Sequence, residues 1–149
     1  MSVSLTPNFT QEDLGVAGQE QRLIDNAQFL CQNVLEPVLA HYGHSVRVHD
    51  GYRDPQHNAR VGGKAVSFHL YEGGDAAADI DVLSISISNL FEWLCKESHL
   101  LFDKVIMEKN AAGVPVCVHI QIDRLNPPRR QAFIGGTGAC EHYDEVPVY

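Results

Sequence analysis

The stretch GYRDPQHNARVGGKAVSFHLYEGGDAAADIDV, residues 51–82, decides the reading of this chain. Asp54-Pro55 reads as an N-cap followed by proline at the first helical position, so DPQHNARV opens a short helix. Gly62-Gly63 stops it. His69 follows just after this glycine-rich turn. Ala78 to Leu83 then alternates as a strand, with Ile80 on one face and Asp79 and Asp81 on the other. Ligands for a catalytic zinc are three N or O donors with one position left open. They are held best at strand ends and in short loops braced by a sheet. Residues 51–82 offer such places for His69 and Asp79.

Working outward, SVRVH at 45–49 alternates like a strand. Before it, a helix runs from about Gln19 to His41. Leu23, Ile24, Ala27, Leu30, Cys31, Val34, Leu35, Val38 and Leu39 form its apolar stripe. Pro37 should kink it and Gly43 should end it. Thr10, with Asp13 three residues on, reads as an N-cap. Downstream, a helix is expected over Ser88 to Glu97, with Leu90, Phe91, Leu94 and Cys95 inward. Strands fit Asp103 to Glu108, Val116 to Ile122 and Gln131 to Ile134. Asn110 to Val114 forms a turn that pairs the first two. Helices first and mostly antiparallel strands after them make an α+β domain. The expectation is one domain over residues 1–149, with an extended surface tail over 135–149.

A formal charge of −8 excludes a partner bound through phosphate neutralisation, so no nucleic acid is expected. The one basic cluster, Arg124, Arg129 and Arg130, reads as a solvated loop. No run of about 18 apolar residues occurs, so membrane insertion is not expected. The N-terminus lacks a basic start and an apolar core, which predicts synthesis in the cytoplasm. The chain is expected to be a monomer. Cys31, Cys95, Cys117 and Cys140 form no CxxC pair and read as free thiols rather than a disulfide framework. Cys140-x-His142 could imitate a metal pair, but no further ligands lie near it in sequence.

His119 falls mid-strand between Val118 and Ile120, on the face shared by Cys117 and Gln121. An imidazole in an apolar strand needs a partner. A metal is one, and a core hydrogen bond is the other.

The ordered motifs Gly51-Tyr52-Arg53, Asn58, Gly62-Gly63, Ser67-Phe68-His69 and Ala78-Asp79-Ile80 resemble the zinc D-alanyl-D-alanine carboxypeptidase and phage endolysin family. FDKVIME followed by V-H-I resembles that family's closing strands. The likeness covers roughly residues 5–122. It implies the Hedgehog/DD-peptidase fold, with a small, mostly antiparallel sheet against helices and one zinc ion held by His69, Asp79 and His119. It implies hydrolysis of peptidoglycan or other D-amino-acid-containing peptides, by a carboxypeptidase or by an endolysin that reaches the cell wall in a phage lysis context. Arg53 would stabilise charge on the substrate carbonyl, or else pair with Asp50 or Asp54. Ser67 would bind a substrate carboxylate or brace the ligand loop. Asn58 would bond backbone.

Two departures matter. Nine residues separate His69 from Asp79, more than the family's usual spacing. Gly73-Gly74 lets a loop absorb them. Glu72 and Asp75 on that loop are candidates for metal or substrate contact. The family's acidic base, three positions before the last histidine, is Val116 here. Glu108 on the preceding strand is the leading substitute, as base or as a hydrogen-bond partner of a ligand histidine. The alternative is a catalytically silent zinc-binding module, such as a phage structural or host-interaction protein. A cytoplasmic dipeptidase is a third option. Of the other histidines, His49 is expected beside the cleft and His57 on the outside.

Overall fold

The computed structural model describes residues 2–64, 66–136 and 143–149. Two short strands, β1 (Ser4–Thr6) and β2 (Phe9–Thr10), pair near the N-terminus. Thr10 and Asp13 do form the reciprocal capping bonds: the Asp13 amide donates to Thr10 Oγ1 at 3.1 Å, and the Thr10 amide to Asp13 Oδ2 at 2.8 Å. No helix grows from them. The chain turns at Gly15, whose φ of +73° leaves the helical region.

The long apolar stripe folds as α1 (Gln21–Leu30), a π-helical turn over Cys31–Leu35, and α2 (Glu36–Tyr42). The wide turn is the physical answer to Pro37. Proline has no amide to give, so one turn expands and the Glu36 amide reaches Cys31 O instead. Gly43 caps α2 in the left-handed conformation. Next come β3 (Val46–Asp50), α3 (Pro55–Arg60), a 3-10 turn over Phe68–Leu70 and β4 (Asp75–Val82). The chain continues through α4 (Ile87–Lys96), β5 (Lys104–Lys109), β6 (Pro115–Asp123), β7 (Gln131–Gly136) and β8 (Tyr143–Val146).

The six strands form one sheet in the order β3-β4-β6-β5-β7-β8, antiparallel except for β5 beside β7. Register divides its two faces. Ala76, Ala78, Ile80, Val105, Met107, Val118, Ile120, Ile122 and Ala132 are buried on the core side, which α1 and α4 cover. Residues of the opposite parity face a cavity of about 650 Å³, walled also by Val61–Lys64 and Val66–His69. The protein is therefore α+β, with the sheet packed on its helices by one face alone. Among the described residues no helix is long and apolar enough to cross a membrane.

Three expectations need correction. The tail is not simply extended. Gly135 and Gly136 complete β7, and β8 pairs with that strand. Val146 and Val148 pack on the core, and the Tyr149 amide donates to Cys95 O. The basic cluster lies on a loop exposed over 125–129, as expected, yet its arginines are not merely solvated, because Arg124 Nε donates to Asn26 Oδ1 and Arg129 grips Asp103. His49 does not border the cleft. It lies 3.2 Å from Asp81 and outside the cavity lining. Cys31, Cys95 and Cys117 are free and buried, whereas Cys140 and His142 lie outside the described residues.

Candidate metal centre

The loop before β4 carries His69, and almost every residue of its motif has a visible task. Gly51 passes so close to the first loop that a Cβ there would sit 2.5 Å from Leu14 O. That approach lets Tyr52 donate to Leu14 O and leaves Gly51 O as acceptor for His69 Nδ1 at 2.7 Å. The Arg53 amide donates to His69 O. Asp54 caps α3 by accepting from the His57 amide. Asn58 is buried and donates through Nδ2 to Lys64 O, while the Gly63 amide bonds Asn58 O. A Cβ on Gly63 would lie 2.0 Å from Asn58 Oδ1, so a larger residue there would displace the Asn58 amide. Ser67 Oγ accepts from the His69 amide and caps the 3-10 turn. Its position braces the ligand loop, and it also lines the cavity.

On the sheet, Asp79 of β4 stands opposite His119 of β6. His69 Nε2 approaches His119 Nδ1 at 3.2 Å and Asp79 Oδ1 at 3.3 Å, and His119 Nδ1 lies 3.1 Å from Asp79 Oδ1. All three residues are buried. The tautomers follow from the outer partners. Gly51 O can only accept, so His69 carries its proton on Nδ1. Gln121 Nε2 donates to Asp103 Oδ2, which turns Gln121 Oε1 toward His119 Nε2 at 2.8 Å. His119 therefore carries its proton on Nε2.

Two imidazole lone pairs and a carboxylate thus converge with no hydrogen left to share between them. That arrangement calls for a cation. Tetrahedral zinc, with bonds of about 2.0–2.1 Å, spaces its donors roughly 3.3–3.4 Å apart, and the triangle here fits it. Neighbouring Asp81 is turned outward to Arg47 and His49. Glu72 and Asp75 stand outside the cavity lining. Asp75 is pushed up to about 6 by burial and by Asp123 beside it.

Behind the ligands runs a relay that sequence reasoning did not find. Arg129 makes two bonds to Asp103, at 2.8 and 2.7 Å. Asp103 accepts from Gln121, and Gln121 orients His119. The only hint in the sequence was that Gln121 shares a strand face with His119.

Burial pushes the Asp79 carboxyl up, but the His119 and His69 rings beside it outweigh this and hold it well below the usual carboxylate range. Glu108 lies opposite Cys117 in the register, on the cavity face. Burial, and then the charge of Asp79, raise its pKa. Val116 falls at the register shift between the Glu108–Cys117 and Lys109–Pro115 pairs, is exposed, and stands outside the cavity lining. Arg53 donates through Nε to Asp50 at 2.5 Å and through Nη1 to Asn58 at 3.3 Å, and its Nη2 lies 3.5 Å from Asp79.

The family model described as peptidase M15 matches residues 7–111, and the chain belongs to that family. The matched segment includes His69, Asp79 and Glu108 but ends before His119, which the sheet register supplies. No curated protein matches the chain.

Proposed function

We propose that this protein is a zinc metallopeptidase that hydrolyses peptide bonds in peptidoglycan, as a D-alanine carboxypeptidase or an endolysin-type endopeptidase acting at the cell wall. The observation that carries the reading is the buried triangle of His69, Asp79 and His119, with both ring protons committed elsewhere. Zinc bound there supplies Lewis acidity to the attacking water and the scissile carbonyl. Glu108 takes the water's proton and returns it to the leaving amine, a role suited to a carboxylate whose proton affinity burial and Asp79 have raised. Beyond its bonds to Asp50 and Asn58, Arg53 keeps one N–H on Nη1 and both on Nη2, the nitrogen 3.5 Å from Asp79. It presents these to the charge that develops on the carbonyl oxygen. Removing a comparable donor costs about 3–4 kcal/mol of transition-state stabilisation in other enzymes. Ser67, at the mouth of the ligand loop, offers its hydroxyl to the substrate.

The absent carboxylate at Val116 favours the second reading, a catalytically silent zinc module. The two readings separate on one experiment. Zinc-loaded protein is assayed on peptidoglycan fragments beside Glu108→Gln. The enzyme reading expects hydrolysis by the parent and a loss of roughly 10²–10⁴-fold in the variant, with zinc content unchanged. Undiminished turnover in the variant removes Glu108 as base. No turnover by the parent on any cell-wall peptide leaves the silent module.

A further inference from the structure

The chain is acidic, with 19 Asp and Glu against 11 Lys and Arg. Its cavity inverts that balance. Arg53, Lys64, Lys104 and Arg129 line it, and Glu108 is the one carboxylate among the described lining residues. Arg53 and Arg129 are engaged by Asp50 and Asp103. Lys104 is different. It stands half-buried on β5, on the cavity face, with its ammonium over the Phe133 ring at 5.3 Å from the centroid. Among the described residues no carboxylate lies within ion-pair distance of it. Burial, and then Arg129, lower its pKa, and the charge of Asp103 does not offset them.

Its place along the sheet is equally specific. Ile106 stands opposite His119, Glu108 opposite Cys117 and Lys104 opposite Gln121. Glu108 and Lys104 therefore flank the level of the metal ligands, each about 6.8 Å along the strand from Ile106. A substrate whose scissile bond lies at the level of His119, with Glu108 on one side, has its next polar group on the Lys104 side.

We propose that Lys104, backed by Phe133, is a carboxylate subsite that selects substrates bearing a negative charge next to the scissile bond. This rests on the peptidase reading for the word substrate, though not for the binding itself. The carboxylate is either the free C-terminus of the leaving residue or an acidic side chain beside the cleaved bond. The first source makes the protein an exopeptidase, and the second permits cleavage within a longer peptide. Partial desolvation of the ammonium strengthens such a pair relative to one at the surface. Lys104 is a specificity residue in this scheme and touches no reacting atom.

The test is calorimetric binding to the zinc-loaded full chain, with probes that cannot be cleaved. The parent probe is acetyl-D-alanyl-D-alanine with its central amide reduced to CH2–NH, as the free acid and as the C-terminal carboxamide. A third probe keeps the carboxamide and replaces the last residue by D-glutamate, so that its carboxylate is on a side chain. The wild-type protein is expected to bind one acid at least tenfold more tightly than the carboxamide, which carries the same amine and lacks the carboxylate, and which acid wins identifies the source. Lys104→Met should erase that preference while changing carboxamide binding less than twofold, and Lys104→Arg should retain it. Equal binding of all three probes by the wild type overturns the proposal, as does a preference that survives in Lys104→Met. Failure of the peptidase reading shows separately, as no hydrolysis of unmodified cell-wall peptides by the same preparation.

Discussion

Replacing Gln121 by Met tests the relay behind the metal site without touching a ligand. Methionine keeps the unbranched stem and close to the same volume, but it removes both polar contacts. The His119 Nε2–H loses its acceptor at 2.8 Å, and Asp103 loses a donor at 2.8 Å while keeping the two bonds from Arg129. Leaving such groups unpaired in a buried site costs about 1–3 kcal/mol, which should lower stability with or without metal. The second effect is specific. Freed from Gln121, the His119 ring loses its fixed tautomer, and comparable losses cost 10–100-fold in metal affinity. At free zinc about 100 times the wild-type Kd, binding adds about 2.7 kcal/mol to folding. A tenfold weaker site at the same zinc adds about 1.4 kcal/mol, and a hundredfold weaker one about 0.4 kcal/mol. Urea unfolding with and without zinc, at matched free metal, reads this increment directly, and chelator competition checks the Kd. If the variant loses stability but keeps the full zinc increment, Gln121 is a packing residue and the orienting role is wrong.

Three further outcomes follow from the same geometry. Asp79→Asn should abolish zinc binding whereas Asp81→Asn should keep it, because Asp81 faces Arg47 and His49; elemental analysis showing the reverse would exchange the two assignments. Gly51→Ala should weaken zinc binding and lower the melting temperature, since its Cβ would lie 2.5 Å from Leu14 O and push Gly51 O away from His69; unchanged metal content and stability would show that the loops yield freely. The buried Asp103 carboxyl is raised by burial but lowered overall by its bonds to Arg129 and Gln121, so its contribution is present above the ordinary carboxylate pKa of about 3.9 and is lost as pH falls through the lower folded value. Arg129→Met should shift that acid loss of stability to higher pH, and superimposable acid denaturation curves for variant and wild type would count against the ion pair.

Much of the architecture was legible because its local signals agreed. Asp54-Pro55 and Gly62-Gly63 bracket α3 as read, the Asn110–Val114 turn pairs β5 with β6, and Pro37 disturbs its helix. What failed to show was long-range. Thr10 and Asp13 carry a capping signal, and only the turn at Gly15 turns it into a loop. The acidic tail gave no sign that β7 would accept β8 as an edge, because strand pairing is decided by a partner remote in sequence. At the site, His69, Asp79 and His119 stood out by residue type and motif. Asp103 and Arg129 did not, since an aspartate opening a strand and an arginine in a loop look like solvent-facing charges until the fold brings them together. Glu108 could be proposed from a hairpin and a parity, and its place on the cavity face depended on a register that a slip of one residue would have reversed.

The alternating parity of β4, β5 and β6 has a consequence for how such a protein can change over generations. Each strand interleaves two texts, one read by the helices and the other by whatever enters the cavity. Val105 and Met107 belong to the first, and Lys104, Ile106 and Glu108 to the second. A drift of residues in the second text alters which molecule is welcomed while the first goes on holding the molecule together. Selectivity can therefore wander without the fold having to follow. A directed library confined to Ile106 and Phe133 would explore that freedom in a single round of selection.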